Sequence, residues 1–458
     1  MIATVNPATG ELVARFDSWS PEQVESALAS AFRAQREWRR TAVDERSHLL
    51  TAVAAVLREC QERYAALITL EMGKPIIEAE AEIEKCAMTC DFYAARAASF
   101  LADEPVASNA WMSRVSFDPL GVVLAVMPWN YPFWQVVRFA APALAAGNGV
   151  ILKHANNVPQ CALALQEAFR DAGAPKGLFL TLLVEASEVK GLIEDRRIAA
   201  VTLTGSTPVG KLVAAQAGAA MKKQVLELGG SDPFIVLADA DVELAAKMGA
   251  KARFQNAGQS CICAKRFIVE EAIADRFVEA LRASAQEIRV GDPMERSTGM
   301  GPMARHNLRT DLHGQVQRTV RQGGRLLLGG RLPEGQGAYY SPTIIDHVTE
   351  RMATGSEETF GPVASVLRVR SAQEAIELAN ATDYGLGAGL WTADMERAEY
   401  LVRQIDAGAV FVNGLVASDP RLPFGGLKQS GYGRELGSYG IREFTNIKTV
   451  WIGPARSA

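Results

Sequence analysis

Four short apolar runs, Gly121–Met127, Gly149–Lys153, Leu178–Val184 and Ala199–Thr204, constrain this chain more than any other feature. Each is rich in β-formers and too uniformly apolar to have a solvated face, and helix-like stretches separate them. Strands of that kind need cover on both faces, so they belong in a parallel sheet with helices above and below. The fold class that follows is α/β. After Glu227-Leu228-Gly229-Gly230 a second α/β unit opens, with strand-like runs near Phe267, Leu326, Thr343, Ala364 and Ala388. A chain of 458 residues has room for two or three such units.

Ahead of the first run, residues 1 to about 19 read as one or two edge strands with turn signals at Asn6-Pro7 and Thr9-Gly10. Ser20 with Gln23 three residues on, and Pro21 in the first turn, predict a helix start. Two longer helices follow near Asp44–Leu70 and Pro75–Phe100, with Met72, Met88, Phe92 and Tyr93 expected in the core. Strand-like alternation at Ser113, Val115 and Phe117 marks an element leaving the first domain, and Lys448–Ile452 is a last strand free to pair with another element or subunit.

The net charge of -4 provides no field to gather nucleic acid or an anionic membrane. No apolar run approaches the length of a bilayer span, and the N-terminus lacks a signal-peptide pattern, so the chain is expected to be cytoplasmic. Six cysteines in so long a chain do not make a disulfide framework, and the five histidines are scattered, so no metal site is expected.

The chemistry centres on Phe254–Arg266, where Cys261 sits in a polar, glycine-containing turn between a helical pattern and a strand. A thiol placed there is presented rather than buried, and Lys265 is a cation suited to favour its thiolate. Elsewhere, the strand ending at Thr204 passes through Gly205-Ser206-Thr207-Pro208-Val209-Gly210 into a helix. Small residues at such a turn admit a phosphate to the helix N-terminus, although the sequence is not the Gly-x-Gly-x-x-Gly fingerprint.

Together with Pro128-Trp129-Asn130, Lys153, Glu227-Leu228-Gly229-Gly230, Gly258-Gln259-Ser260-Cys261, Glu358-x-Phe360-Gly361-Pro362 and Pro423-Phe424-Gly425-Gly426, these segments resemble the aldehyde dehydrogenase superfamily along nearly the whole chain. Within it the chain is most similar to short bacterial succinate-semialdehyde dehydrogenases, in Trp129-Asn130-Tyr131-Pro132 followed by Arg138 and in Val416–Gly426. The resemblance implies a modified Rossmann coenzyme domain (1–108 and 128–228), a catalytic α/β domain (229–432) and a small oligomerisation arm (109–127 and 433–458). It implies a homodimer or homotetramer acting on a small aldehyde.

By the same resemblance Cys261 is the nucleophile, Asn130 and the Cys261 amide receive the oxyanion, and Glu227 is the general base, with Gly229 and Gly230 leaving it room. Lys153, Gly205, Ser206, Gly210, Trp129, Glu358 and Phe360 hold the coenzyme. Asn156 stands three residues after Lys153, where NAD-preferring relatives often carry an acid; its neutral amide, beside Lys153 and His154, implies that NADP is accepted as well as NAD. Arg138, on one helical face with Trp134 and Asn130, is assigned to the distal carboxylate of the substrate, assisted by Ser418 and Arg421.

Read residue by residue, plainer roles remain open: a helix cap for Asn130, a solvated strand end for Glu227, an exposed acidic pair for Glu358 and an internal salt bridge for Arg138. Cys263 is either a small packing residue or the partner of Cys261 in a reducible disulfide. The function implied is oxidation of succinic semialdehyde to succinate with NAD or NADP. Glutarate semialdehyde or an aromatic aldehyde is the alternative substrate, and a non-catalytic protein keeping the fold is the alternative class.

Overall fold

The computed structural model describes residues 2–453. Met1 and residues 454–458, the two ends of the expected domain plan, lie outside them. Two large sheets dominate. The first contains, in order across it, Gly431–Tyr432, Lys223–Glu227, Ile198–Thr204, Val122–Met127, Gly149–His154 and Phe179–Thr181, all parallel except the short Gly431–Tyr432 edge. The second runs Arg325–Leu328, Thr343–Asp346, Val363–Val369, Arg266–Glu270, Pro233–Val236, Gly387–Trp391 and Ala409–Val412, parallel except for its first strand.

The cover on both faces is visible residue by residue. Along Val122–Met127, Val123, Ala125 and Met127 enter one core with the helices Val43–Glu59, Ile76–Phe100, Trp134–Ala145 and Pro159–Asp171. Val122 and Leu124 enter the opposite core with Pro21–Trp38 and Thr207–Ala219. The second sheet repeats the alternation: Phe234 and Val236 pack on one side, Ile235 on the other. Full burial of each large aliphatic or aromatic side chain contributes about 1.5–3 kcal/mol, which holds these runs as central strands.

Local signals set the ends of several elements. Ser20 and Gln23 form the reciprocal capping box, Gln23 N donating to Ser20 Oγ and Ser20 N to Gln23 Oε1. The helix expected over Asp44–Leu70 is two, Val43–Glu59 and Gln61–Met72, broken at Cys60. The second ends at Gly73 with φ +80°, where a Cβ would come within 2.8 Å of Pro302 Cγ, so only glycine fits. Met72 and Tyr93 are buried, Phe92 partly so, and Met88 is exposed, contrary to expectation.

A third, three-stranded sheet joins Glu104–Pro105, Met112–Pro119 and Thr445–Ile452. The last strand therefore pairs within the chain. Val122–Met127, expected at the end of the arm, is instead a central strand of the first sheet, because it is apolar on both faces whereas Met112–Pro119 is not. Among the described residues no helix is long and apolar enough to cross a membrane.

Candidate active site

In chain order the first sheet starts at Val122–Met127, builds outward through Gly149–His154 and Phe179–Thr181, then returns to add Ile198–Thr204 on the other flank. Such a reversal opens a crevice beyond the carboxyl ends of the two strands beside it, where parallel sheets bind ligands. From the carboxyl ends on this side emerge Trp129 and Asn130, Lys153 to Asn156, Gly205 and Ser206, and Glu227. The second sheet contributes its amino ends: Cys261 precedes Arg266–Glu270 and Glu358–Gly361 precedes Val363–Val369.

The cysteine loop is shaped by long-range bonds. After the helix Val242–Phe254, three consecutive residues are left-handed: Asn256 (φ +51°), Ala257 (φ +51°) and Gly258 (φ +69°). For the two non-glycines this costs on the order of 1–3 kcal/mol each. Glu78 Oε2 accepts from Asn256 N at 2.8 Å, and Asn256 Nδ2 donates to Asn130 O at 2.9 Å and to Gln259 O at 3.2 Å. Buried Arg253 donates to the Thr359 and Gly361 carbonyls, and buried Lys265 to those of Ser260 (3.0 Å) and Cys261 (2.6 Å).

Cys261 is half-buried and Cys263 fully buried, both as free thiols. Burial pushes the Cys261 thiol up to about 12, outweighing Arg138 and Lys265, which pull it down. Lys265 acts in the expected direction, but desolvation wins.

Asn130 lies outside the helix it was expected to share with Trp134 and Arg138. That helix is Trp134–Ala145, and its cap is not asparagine. Glu82 Oε1 instead accepts from Phe133 N (2.9 Å) and Trp134 N (3.0 Å), while Glu82 Oε2 pairs with Lys74, whose Nζ stands 3.6 Å from the Tyr131 ring centroid. This holds the loop Pro128–Phe133. Asn130 Nδ2 donates to Gln259 O at 3.1 Å, and Asn130 Oδ1 is buried without a partner.

Glu227 is 2% exposed, and neither of its carboxylate oxygens has a hydrogen-bond partner. Burial, reinforced by the nearby Glu435 carboxylate, raises its pKa well above the usual range. The solvated strand end is excluded. Gly425, rather than Gly229 or Gly230, makes the space: a Cβ on Gly425 would come within 2.9 Å of Glu227 Oε1. Gly229 makes way for Glu358 Oε2 (2.5 Å) and Gly230 for the Cys261 carbonyl (2.8 Å).

Glu435 is the partner of Arg138. The guanidinium also donates to Thr204 Oγ1 at 3.4 Å and lies 4.6 Å from the Phe424 ring centroid. The internal salt bridge is thus built, and Arg138 also stands on the wall of the cavity that Cys261 lines. Arg421 is a correction: its side chain is 75% exposed and paired with Asp419 at 2.6 Å, because Arg421 closes a turn onto its own neighbour.

Cys261 lines a cavity of about 1190 Å³ together with Tyr131, Trp134, Arg138, Ser418 and Phe424. Lys85, which the sequence reading did not single out, lines it as well and donates to Ser418 Oγ at 2.9 Å.

On the coenzyme side, Lys153 Nζ donates to Asn156 Oδ1 (2.8 Å), and Asn156 Nδ2 to Glu185 Oε2 (2.6 Å), an acid the sequence reading missed. Ser206 precedes the helix Thr207–Ala219 without capping it, which leaves its first amides available to a diphosphate. A Cβ at Gly210 would strike Leu228 at 2.4 Å, whereas Gly205 has no neighbour closer than 3.9 Å. Trp129 meets Phe360 edge-on at 5.8 Å, and Glu358 accepts from Gly230 N at 2.9 Å, with Lys265 3.7 Å away. An uncapped helix start, a buried lysine at the strand end and the open space over Gly205 fit a dinucleotide.

A dinucleotide-type crevice facing a cysteine loop is the arrangement of an α/β oxidoreductase. The chain belongs to the aldehyde dehydrogenase family, whose model matches residues 1–450. It is 50% identical over 451 residues to a Synechocystis protein named probable succinate-semialdehyde dehydrogenase, NADP(+), covering 98% of this chain and 99% of that one. It is 48% identical over 448 residues to the Escherichia coli K12 succinate semialdehyde dehydrogenase, NAD(P)+, covering 98% and 97%. Succinic semialdehyde dehydrogenase from Streptococcus pyogenes, solved with NADP+, superposes with a TM-score of 0.97 at 36% identity, over 99% of this chain and 100% of that one.

Proposed function

We propose that this enzyme oxidises succinic semialdehyde to succinate with reduction of NAD or NADP. The carrying observation is that Cys261 opens into a cavity whose wall carries Lys85, Arg138, Lys247, Lys251 and Ser418 beside the glutamates Glu78, Glu82, Glu243 and Glu287, so that cations are at hand for an aldehyde with an anionic tail. The identities of about one half to the relatives named above support the same substrate and both coenzymes.

Cys261 Sγ, as thiolate, adds to the aldehyde carbon and gives a tetrahedral thiohemiacetal oxyanion. Asn130 suits that oxygen: an amide nitrogen carries two N–H groups, and one is committed to Gln259. With the Cys261 backbone N–H it forms the oxyanion site, where a single donor is worth about 3–4 kcal/mol. The bound coenzyme supplies the hydride acceptor. Loss of hydride from carbon leaves a thioester on Cys261. Glu227, unpaired and with a raised pKa, takes a proton from the water that attacks the thioester, and Cys261 leaves as thiolate.

Lys153 and Asn156 are positioned for the adenosine ribose, Ser206, Gly205 and Gly210 for the diphosphate, and Glu358, Phe360 and Trp129 for the nicotinamide end. Asn156 is neutral, which supports acceptance of a 2′-phosphate. The exposed strand Thr445–Ile452, with Ile447 and Trp451 open to solvent, supports a homodimer or homotetramer, and we place the enzyme in the cytoplasm.

The test is reduced-coenzyme formation with succinic semialdehyde, glutarate semialdehyde, butanal and benzaldehyde, each with NAD and NADP. Preference for succinic semialdehyde is expected. Faster turnover of butanal or benzaldehyde would return the substrate to an uncharged aldehyde.

A further inference from the structure

We propose that His154 is a positioning residue for the oxyanion site: its Nε2–H clasps the Pro132 carbonyl and so sets where Asn130 aims its free amide hydrogen. This rests on the oxyanion role given to Asn130 above. His154 ends the strand Gly149–His154 and pairs in register with Met127, the last residue of the neighbouring strand. The chain leaves that neighbouring strand through Pro128–Pro132, and at the far end of this segment Pro132 O lies 2.9 Å from His154 Nε2. One residue thus closes both ends of the segment whose middle member is Asn130.

The state of the ring follows from its partners. Ala155 N donates to Nδ1 at 2.9 Å, so Nδ1 carries no hydrogen; Pro132 O can only accept, so Nε2 carries one. The buried imidazole is therefore neutral and of a single tautomer. Burial, with the adjacent Lys153 charge, brings its pKa down to about 4 against the pull of the Pro132 and Met127 carbonyls, so it adds no positive charge beside Asn156, contrary to the expectation from the sequence. Asn130 has one amide hydrogen committed to Gln259 O, and its own carbonyl accepts from Asn256 Nδ2, so the placement of the segment sets the direction of the other hydrogen. Glu82 holds the exit of the segment through the Phe133 and Trp134 amides, and His154 holds the carbonyl just before them. Loss of that grip displaces a donor whose worth depends on being in place before charge develops.

The experiment compares wild type, His154→Asn, His154→Gln, Asn130→Ala and the double variant of His154→Asn with Asn130→Ala. It reads the rate of the first turnover with succinic semialdehyde and, without coenzyme or aldehyde, the rate at which iodoacetamide alkylates Cys261. Alkylation builds no oxyanion. Asparagine keeps an acceptor for Ala155 N but falls short of Pro132, whereas glutamine carries an N–H at the reach of Nε2. His154→Asn is expected to slow the first turnover about 10- to 100-fold with alkylation unchanged, and His154→Gln to recover most of the rate. In the Asn130→Ala background His154→Asn adds nothing, because the two residues act as one unit. A wild-type first turnover in His154→Asn, an alkylation rate that falls with it, or the same fold-loss in both backgrounds overturns the proposal. Should His154→Asn not fold, His154→Gln decides: a first turnover near wild type supports the clasp, and a slow one overturns it. Asn130→Ala with a wild-type first turnover overturns the oxyanion reading, and the His154 role with it.

Discussion

Glu82 and Glu227 are both nearly inaccessible, 4% and 2% exposed, yet the regions around them are built on opposite principles. Around Glu82 every charge is answered: two backbone amides and the Lys74 ammonium converge on its carboxylate. Around Glu227 neither carboxylate oxygen has a hydrogen-bond partner: burial, with the Glu435 carboxylate, raises its pKa, and the opposing Arg138 and Arg434 charges do not prevail. A carboxylate that holds structure is satisfied on folding. One kept for proton transfer is left poised, at a cost in stability.

The largest effect that sharpens this contrast is on turnover. Glu227→Gln should reduce steady-state kcat by about 10²- to 10⁴-fold, the usual worth of a general base, without lowering Tm. Its stability should depend on pH in a definite direction. Because the folded pKa of Glu227 is raised above 4.5, the native state holds its proton where the unfolded chain has released it, and wild-type stability falls as pH rises from about 4.5 upward. The Tm advantage of Glu227→Gln should therefore widen between pH 5 and 9; a narrowing gap would break the comparison.

Glu82→Ala should do the reverse. It strands the Lys74 charge and two amides and should cost about 3–5 kcal/mol in urea unfolding, the range for a broken buried pair. If it proved no less stable than Glu227→Gln, the two glutamates would not be opposites after all. A smaller effect concerns the thiol: with its pKa near 12, alkylation of Cys261 should accelerate about tenfold per pH unit between 7 and 9, in Cys263→Ser as in wild type. Smallest is Glu435→Gln, which removes the acid that raises the Glu227 pKa; the acid limb of the kcat profile should move to lower pH.

The sheets were legible because their signal is local: a run such as Val122–Met127 carries its two-sided burial in its own composition. So were the residues at strand ends, since Asn130, Lys153, Ser206, Glu227 and Cys261 sit in short motifs whose resemblance extends along the chain. What escaped is non-local. Glu435 is separated from Arg138 by almost three hundred positions, and neither residue announces the other. The left-handed turn at Asn256 and Ala257 has no glycine or proline signal at those positions; it is held by Glu78 and Asn130 from distant segments. Lys85 carries no sequence signal of its own, and only the fold brings Ser418 beside it. Cys263 is buried, a packing position, and its redox pairing with Cys261 remains a proposal that peroxide inactivation of Cys263→Ser can test.

The most direct test of the division of labour between Cys261 and Glu227 is a rapid-mixing experiment on Glu227→Gln with succinic semialdehyde and coenzyme, followed by intact mass. The expected result is a burst approaching about one reduced coenzyme per subunit, then a stall, with Cys261 carrying the acyl group. No burst with Cys261 unmodified, or a steady rate equal to that of wild type, would contradict the assignment of Glu227 to thioester hydrolysis.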